Sequence, residues 1–359
     1  MSSIKILKAG FFTTVQDLGR IGYQKFGMPV AGVMDNFSYR VANYLVGNDE
    51  GEAVLEATFL GPELEFCCDL SVAITGANMK PKLNGKEIPM WESFKVTKGD
   101  KLALGGIVNG IRSYIAFSGK IDVELVNNSK STYTKSGIGG FNGRRLMDND
   151  ELNIIVSNNM ISGKHLDHKY IPEFNKKNKI RVILGPQDDY FTDDGIKSFL
   201  NEKGYKITNE ADRMGYRLDG EKISHKEKAD IISDGALFGS IQVPANGQPI
   251  ILMVDRQTTG GYTKIATVIS SDLPKLSQMG SGSEIIFEKI TLREAHNIYK
   301  EYEKSLSDIK NQISSSHLIN KLADIPAVNP ISNINVGLSK RMNVVVNGNS
   351  FVVDVQEIR

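Results

Sequence analysis

Between Thr14 and Asp35, three side chains with chemical capacity stand among Gly19, Gly22, Gly27 and Gly32: Gln16, Asp17 and Arg20. Glycines let a backbone approach a ligand closely. An arginine beside such a loop can grip a carboxylate or phosphate through two parallel hydrogen bonds. The competing account is a turn-rich β segment in which Asp17 and Arg20 pair with each other. A second cluster, Ser233 to Asp272, contains Gln242, Asp255, Gln257, Thr258 and Tyr262. Asp255 directly follows the apolar run Ile250 to Val254, and a rigid strand end is a good base for a site. Amides and hydroxyls such as those of Gln257 and Thr258 suit an uncharged amide or ureido group, because they both donate and accept. An Asp-capped turn explains the same residues without a ligand.

Two further segments carry charge or glycine. In Ala211 to Gly220, Asp212, Arg213 and Arg217 can form an ion-pair network that fixes domain geometry, or contact a ligand. Gly137 to Arg145 is glycine-rich, but no Lys-Ser/Thr follows its last glycine, so it is not a phosphate-binding Walker loop. Arg144 and Arg145 leave weak anion binding open; a surface loop is the simpler account. The five histidines, His165, His168, His225, His296 and His317, all lie outside the dense polar segments. A Ser-His-Asp triad or a three-histidine metal centre therefore has little support, and no metal site is expected. Acid–base work would fall to carboxylates such as Asp17, Asp35 or Asp255, tuned by burial.

The elements that must position these residues read as strands. Leu70 to Thr75, Ser113 to Phe117, Arg181 to Leu184 and Ile250 to Val254 are short apolar runs punctuated by turn signals. Asn84-Gly85 and Asn347-Gly348 read as hairpin turns. Three helices are expected: Asp35 to Val46, stopped by Gly47; Asp189 to Leu200; and Thr291 towards Ile313, opened by a Thr-x-x-Glu capping box. The polar stretch Asn158 to Lys179 reads as a linker. A loose segment is expected from Ser314 to Ser339, and then a terminal hairpin over Asn343 to Val355.

The chain has 359 residues, 40% hydrophobic and 24% charged, which is a globular profile of more than one domain. Lys and Arg number 43 against 42 Asp and Glu, so the basic surplus of a nucleic-acid binder is missing. No stretch approaches the roughly 20 apolar residues of a membrane span. The N-terminus lacks the apolar core of a signal peptide, so the cytoplasm is the expected location. Cys67 and Cys68 are adjacent in an apolar run, which predicts buried strand cysteines in a reducing compartment and no joint metal site.

Several motifs occur together in a fixed order. Thr14-Val-Gln-Asp-Leu-Gly-Arg20 is followed by Gly22, Gly27, Gly32 and Met34-Asp35. Then come Ile74-Thr-Gly-Ala77, Tyr114-Ile-Ala-Phe117, Ser131-Thr-Tyr133 and Gly139-Gly140. Arg181 with Gly185-Pro-Gln-Asp188, Asp212-Arg-Met-Gly-Tyr-Arg217, Gly239-Ser-Ile-Gln-Val-Pro244, Asp255 to Tyr262 and Asp272-Leu273 complete the set. Over about residues 4 to 290 this resembles the KipA family, also called the C subunit of 5-oxoprolinase or allophanate hydrolase subunit 2, and the carboxyltransferase-like half of urea carboxylase. The sequence departs from many relatives at Gly119-Lys120-Ile121-Asp122 and at Gly280-Ser-Gly-Ser283.

The resemblance implies a mainly β fold with few helices, made of two cyclophilin-like β-barrel domains over 1–175 and 176–290; the residues beyond read as a C-terminal helix and hairpin tail over 291–359. It implies two partners, the KipI-like B subunit and the A subunit of 5-oxoprolinase. The implied reaction is ATP-driven opening of 5-oxoproline to glutamate, with ATP acting through the complex. On that reading Asp17, Arg20 and Asp255 are the catalytic candidates. Gln16, Asp35, Arg213, Gln242, Gln257, Thr258 and Tyr262 are the candidates for binding a small amide or lactam. Two alternatives stay open: biotin-dependent carboxyl transfer to urea or a similar amide, and a non-catalytic regulator that binds a KipI-like protein. Met342 to Val355 resembles the opening hairpin of a biotinyl carrier domain, although no Met-Lys-Met occurs in it.

Overall fold

Strands dominate the computed structural model, which describes residues 2–157, 160–323, 339–346 and 349–356. Within the first half, strands Ser3–Lys8, Glu63–Phe66, Lys82–Leu83, Lys86–Glu87, Lys101–Ala103, Gly119–Ile121 and Glu151–Val156 form one sheet. Phe12–Gln16, Val54–Thr58, Leu70–Asn78, Ser93–Val96 and Asn109–Phe117 form a second. The two sheets share a core of residues such as Ile4, Leu64, Leu55, Ile74 and Ile115. In the second half, seven strands between Lys177 and Lys289 close into a barrel, sealed by parallel pairing of Lys177–Leu184 with Glu284–Lys289. The barrel encloses its own core, including Ile180, Tyr216, Ile251 and Phe287.

The five-stranded sheet decides where chemistry can sit. Antiparallel pairing places Tyr114 opposite Glu56 and Arg112 opposite Thr58. Because side chains alternate faces with period two, these four share one face. Leu55, Ala57 and Ile115 point the other way, into the core between the sheets. The polar face is thus a direct product of strand register, and a one-residue slip would bury it in hydrocarbon.

Helix α1 (Asn36–Val46) has its expected cap: Asp35 accepts from the Ser38 amide, and Gly47 ends the helix in a left-handed conformation at φ 78°. Asn84 and Gly85 take φ 51° and 81°, the two positive angles of a tight hairpin turn, between paired strands. The second helix begins later than expected. Asp188–Tyr190 is a single 3₁₀ turn, and α2 (Asp193–Phe199) starts behind Thr192, whose hydroxyl accepts from Gly195 N. A short α3 (Leu273–Ser277) follows, with a proline in its first turn.

Helix α4 (Leu292–Ala323) opens with the predicted capping box: Thr291 N donates to Glu294 Oε2 at 2.7 Å, and Glu294 N donates to Thr291 Oγ1 at 3.2 Å. Leu306, Ile309 and Ile313 pack with residues of α1 such as Tyr39 and Leu45. Thr291→Ala should cost about 1 kcal/mol, seen as faster exchange of the Glu294 amide; unchanged exchange there would refute the cap. The helix does not stop near Ile313. Ser314 and Ser315 hydroxyls bond back to the Lys310 and Asn311 carbonyls within it.

Two other expectations need correction. Cys67 and Cys68 are free and half-buried in a bend after Glu63–Phe66, not inside a strand. The segment read as a linker packs against the first half: Lys164 N donates to Ser93 Oγ, and Leu166, Ile171 and Phe174 join the cluster around Trp91. Strands Ser339–Val346 and Asn349–Gln356 pair as a hairpin, as expected, in a separate C-terminal unit. The Asn347-Gly348 turn and most of the segment expected to be loose lie outside the described residues. No helix among the described residues is long and apolar enough to cross a membrane.

Candidate functional site

At the centre of the first unit lies a buried ion network that joins the polar sheet face to the barrel. Arg213 donates from Nε and Nη2 to the two Asp255 oxygens, both at 2.9 Å. Its Nη1 donates to Glu56, and Nη2 also donates to the Gly32 carbonyl at 2.6 Å. Glu56 further accepts from Met34 N at 2.8 Å and from the Tyr114 hydroxyl at 2.9 Å. Arg112 donates from Nη1 to the Tyr216 hydroxyl at 2.8 Å and to the Ser277 carbonyl at 2.5 Å. Two carboxylates and two guanidiniums balance in formal charge, as desolvated ions require. Burial alone would depress the Arg213 pKa, but Asp255 and Glu56 more than reverse this and raise it. Burial pushes the Asp255 carboxyl up, with Arg213 pulling the other way.

This network floors a cavity of about 210 Å³ between the halves. Phe11, Thr58, Phe59 and Lys135 line it from one side, and Ala211 to Met214 and Asp255 from the other. Phe11 and Phe59 meet edge to face at 5.6 Å. Two buried polar atoms here lack a hydrogen-bond partner: Thr58 Oγ1 and Arg112 Nε, the latter 4.0 Å from Glu56. Unpaired buried donors are rare, and both belong to residues of the cavity wall. A wider cleft of about 560 Å³ adjoins, sharing Lys135, Ala211, Asp212 and Met214. Its lining includes Gln242, Gln257 and Tyr262. Gln242 Nε2 is buried and unpartnered, while Gln257 donates to Gln242 Oε1 at 3.5 Å.

The sequence candidates therefore fall in separate places. Asp255 and Arg213 border the cavity, and Gln242, Gln257 and Tyr262 border the adjoining cleft. Thr258 borders neither of these; its carbonyl accepts from Ala236 N.

Gln16, Asp17 and Arg20 turn inward instead. The Asp17 carboxylate accepts from the Ser129 and Ser131 hydroxyls at 2.6 and 2.5 Å and from Lys130 N and Gly19 N at 2.6 and 2.8 Å. It makes no ion pair with Arg20, which is wholly buried and donates from Nη2 to the Ser131 carbonyl. Arg20 Nε and Nη1 have no partner, and burial lowers its pKa against the charges of Asp17 and Asp255. Gln16 Nε2 donates to Thr14 Oγ1 and the Thr132 carbonyl. These three residues hold the Ser129–Thr132 loop, which leads directly to Thr134 and Lys135 at the cavity.

Asp35 caps α1, accepts from Gln278 Nε2 at 2.8 Å, and borders a different cavity, of about 340 Å³. Burial raises its pKa against the donors Gln278 and Ser38. Arg217 pairs with exposed Glu210 at 2.7 Å, and Asp212 accepts from Met214 N at 2.7 Å. The network expected among Asp212, Arg213 and Arg217 does not form; Arg213 pairs with Glu56 and Asp255 instead.

Sequence reasoning missed Glu56, Arg112 and Gln278. Gln278 fills the irregularity in the pairing of Asn109–Phe117 with Leu70–Asn78, its Oε1 accepting from Ile111 N and Arg112 N at 3.0 Å. The available signal was a lone charge inside an apolar strand, in Val-Leu-Glu-Ala-Thr and again in Ile-Arg-Ser-Tyr. A buried lone charge demands a partner elsewhere.

The glycine loop lines a further cavity of about 460 Å³, together with Asp122 and Glu124. Arg144 is engaged bidentately by Asp150, and Arg145 Nη1 by the Phe11 carbonyl. Acidic walls and occupied arginines do not fit a triphosphate. Among the described residues no cluster of His, Cys, Asp and Glu is arranged to hold a metal ion.

Residues 26–289 match the family described as carboxyltransferase domain, subdomain A and B. The chain belongs to this family. It is 38% identical over 292 residues to the 5-oxoprolinase C subunit of Escherichia coli strain K12, across 81% of this chain and 93% of that protein. The 5-oxoprolinase C subunit of Haemophilus influenzae is 34% identical, across 88% of this chain and 100% of that protein. The crystal structure of Kluyveromyces lactis urea amidolyase superposes with a TM-score of 0.81 at 29% identity, covering 86% of this chain but 20% of that one. Carboxyltransferase-domain kinship thus runs through both halves, including the cavity between them.

Proposed function

We propose that this chain is one component of an ATP-dependent 5-oxoprolinase complex, and that its central cavity receives the lactam. The observation that carries the reading is a cavity sized for a small ring, lined by two residues, Thr58 and Arg112, that each hold an unpartnered buried donor. Its kinship with the C subunits of 5-oxoprolinases supplies the substrate class. Lys135 at the rim and Arg112 at the floor would hold the substrate carboxylate and carbonyl. In the overall reaction water adds to the lactam carbonyl, the ring C–N bond breaks, and the nitrogen leaves as the amine of glutamate. ATP, hydrolysed to ADP and phosphate with its own water, drives the step. The glycine-loop cavity does not suit ATP, so we assign the nucleotide to one of the two partners, the KipI-like B subunit or the A subunit.

The test is ADP release by this chain combined with the two candidate partners, with and without 5-oxoproline. Stimulation that requires this chain is the expected result; a well-formed complex with no stimulation would overturn the reading. Thr58→Val sharpens it. The hydroxyl has no internal partner, so its loss should leave the melting temperature unchanged. KM for 5-oxoproline should rise about threefold to tenfold with kcat near wild type. An unchanged KM would place the substrate elsewhere.

One observation favours a second reading, carboxyl transfer to a urea-like amide: the family description itself, with the buried, unpartnered Gln242 Nε2 suited to a ureido carbonyl. Biotin on a separate carrier would supply the carboxyl group. Loss of activity on adding avidin would mark this reading.

A further inference from the structure

The guanidinium of Arg256 has no role in the site above. Its side chain is buried, with the residue 4% exposed, yet no carboxylate partners it among the described residues. Nε donates to the Ala236 carbonyl at 3.0 Å; Nη1 makes only long bonds, 3.5 and 3.4 Å, to the Met253 and Val254 carbonyls. The neighbouring Asp255 is spent on Arg213. Burial pulls the Arg256 pKa down to about 10, against the charge of Asp255. Arg256 lines a cleft of about 500 Å³ whose walls are mostly apolar: Leu18, Ile21 and Val30 on one side, Leu237 and Phe238 on the other. Ile21 is 73% exposed and Leu237 60%.

We propose that this cleft is the docking surface for a partner protein of the complex that inserts a carboxylate beside an apolar side chain. A buried cation without an anion and exposed aliphatic groups around it are both costly in an isolated chain. One acidic–apolar plug relieves both. The charge selects the partner's chemistry: a lysine- or arginine-led segment would be repelled from the floor. The inference rests on the reading of this chain as one component of a complex, and the location of the surface is its new content. Leu18 and Ile21 flank Arg20 in sequence, so docking here would also bear on the loop that carries Lys135.

The experiment uses the full chain with the two candidate partners. Ile21→Asp and Leu237→Asp are rim changes that leave the fold intact, with melting temperatures expected to match wild type. Each should weaken complex formation at least about tenfold, measured by titration and native mass spectrometry. Arg256→Gln should weaken it comparably; if that variant misfolds, the rim pair still decides. Wild-type affinity in both rim variants overturns the assignment while leaving the complex intact. Failure of the wild-type chain to bind either partner overturns the underlying reading and this surface with it. A homodimer of this chain that is lost in the rim variants would also overturn it, making a second copy the occupant.

Discussion

Arg213→Ala should destabilise the protein by about 3–5 kcal/mol, the usual cost of removing one member of a buried ion network. The substitution strands Asp255, which loses both charge-assisted bonds, and removes the strongest partner of Glu56. Glu56 is fully buried and has no water to turn to, and Asp255 meets solvent only at the cavity it borders. The deficit should depend on pH with a definite sign. Without the opposing charge of Arg213, burial would hold the folded-state Asp255 carboxyl pKa further above its unfolded value. A group raised in this way favours folding when protonated, and costs stability as pH climbs through and beyond its unfolded pKa. The variant should therefore lie closer to wild type near pH 5 than near pH 8, measured by urea unfolding at both. An equal deficit at the two values would mean that lost packing, not stranded charge, is responsible. Replacing Arg213→Met together with Asp255→Asn should recover much of the loss, because the remaining buried charges, Glu56 and Arg112, then balance each other.

That network explains what a sequence can disclose. Arg213 and Asp255 stand out in one dimension because each sits in a short polar motif. Glu56 and Arg112 do not, because each is a single charge in an apolar strand, and their pairing depends on the register of three strands. Local signals did predict local structure. Asp35 and Gly47 bound α1, and the Thr291–Glu294 box opens α4, because a cap is made by residues three apart. The start of α2 slipped because Thr192, rather than the acidic pair at Asp188 and Asp189, supplies its cap. Direction was the least legible property. Gln16, Asp17 and Arg20 read equally well as facing a ligand or a turn, and the answer lies more than a hundred residues away, at Ser129 and Ser131. Asp17 neither pairs with Arg20 nor stays free: its four donors turn a candidate acid into the anchor of the loop that brings Lys135 to the cavity.

The anchor can be tested from the other side of the loop. Gly139→Ala should cost about 3 kcal/mol or more, whereas Gly137→Ala should cost about 1–2 kcal/mol. Both glycines have left-handed backbones, at φ 67° and 64°, so a side chain at either meets the same intrinsic strain. They differ in surroundings. A Cβ at Gly137 meets nothing within 4 Å. A Cβ at Gly139 would overlap both Arg20 Nη2 and the Ser131 carbonyl oxygen. Those two atoms are bonded to each other, Arg20 is wholly buried, and Ser131 is held by Asp17. Neither can yield without breaking a buried hydrogen bond, so the clash is transmitted into the loop. In the assembled complex the displaced Lys135 should then raise KM for 5-oxoproline in Gly139→Ala and leave it unchanged in Gly137→Ala. Thermal unfolding of the two variants separates the contributions. Equal losses would show that backbone strain accounts for everything and that Arg20 is free to move; a larger loss in Gly139→Ala, with the KM effect, would make Arg20 the rigid backing on which the cavity loop is set.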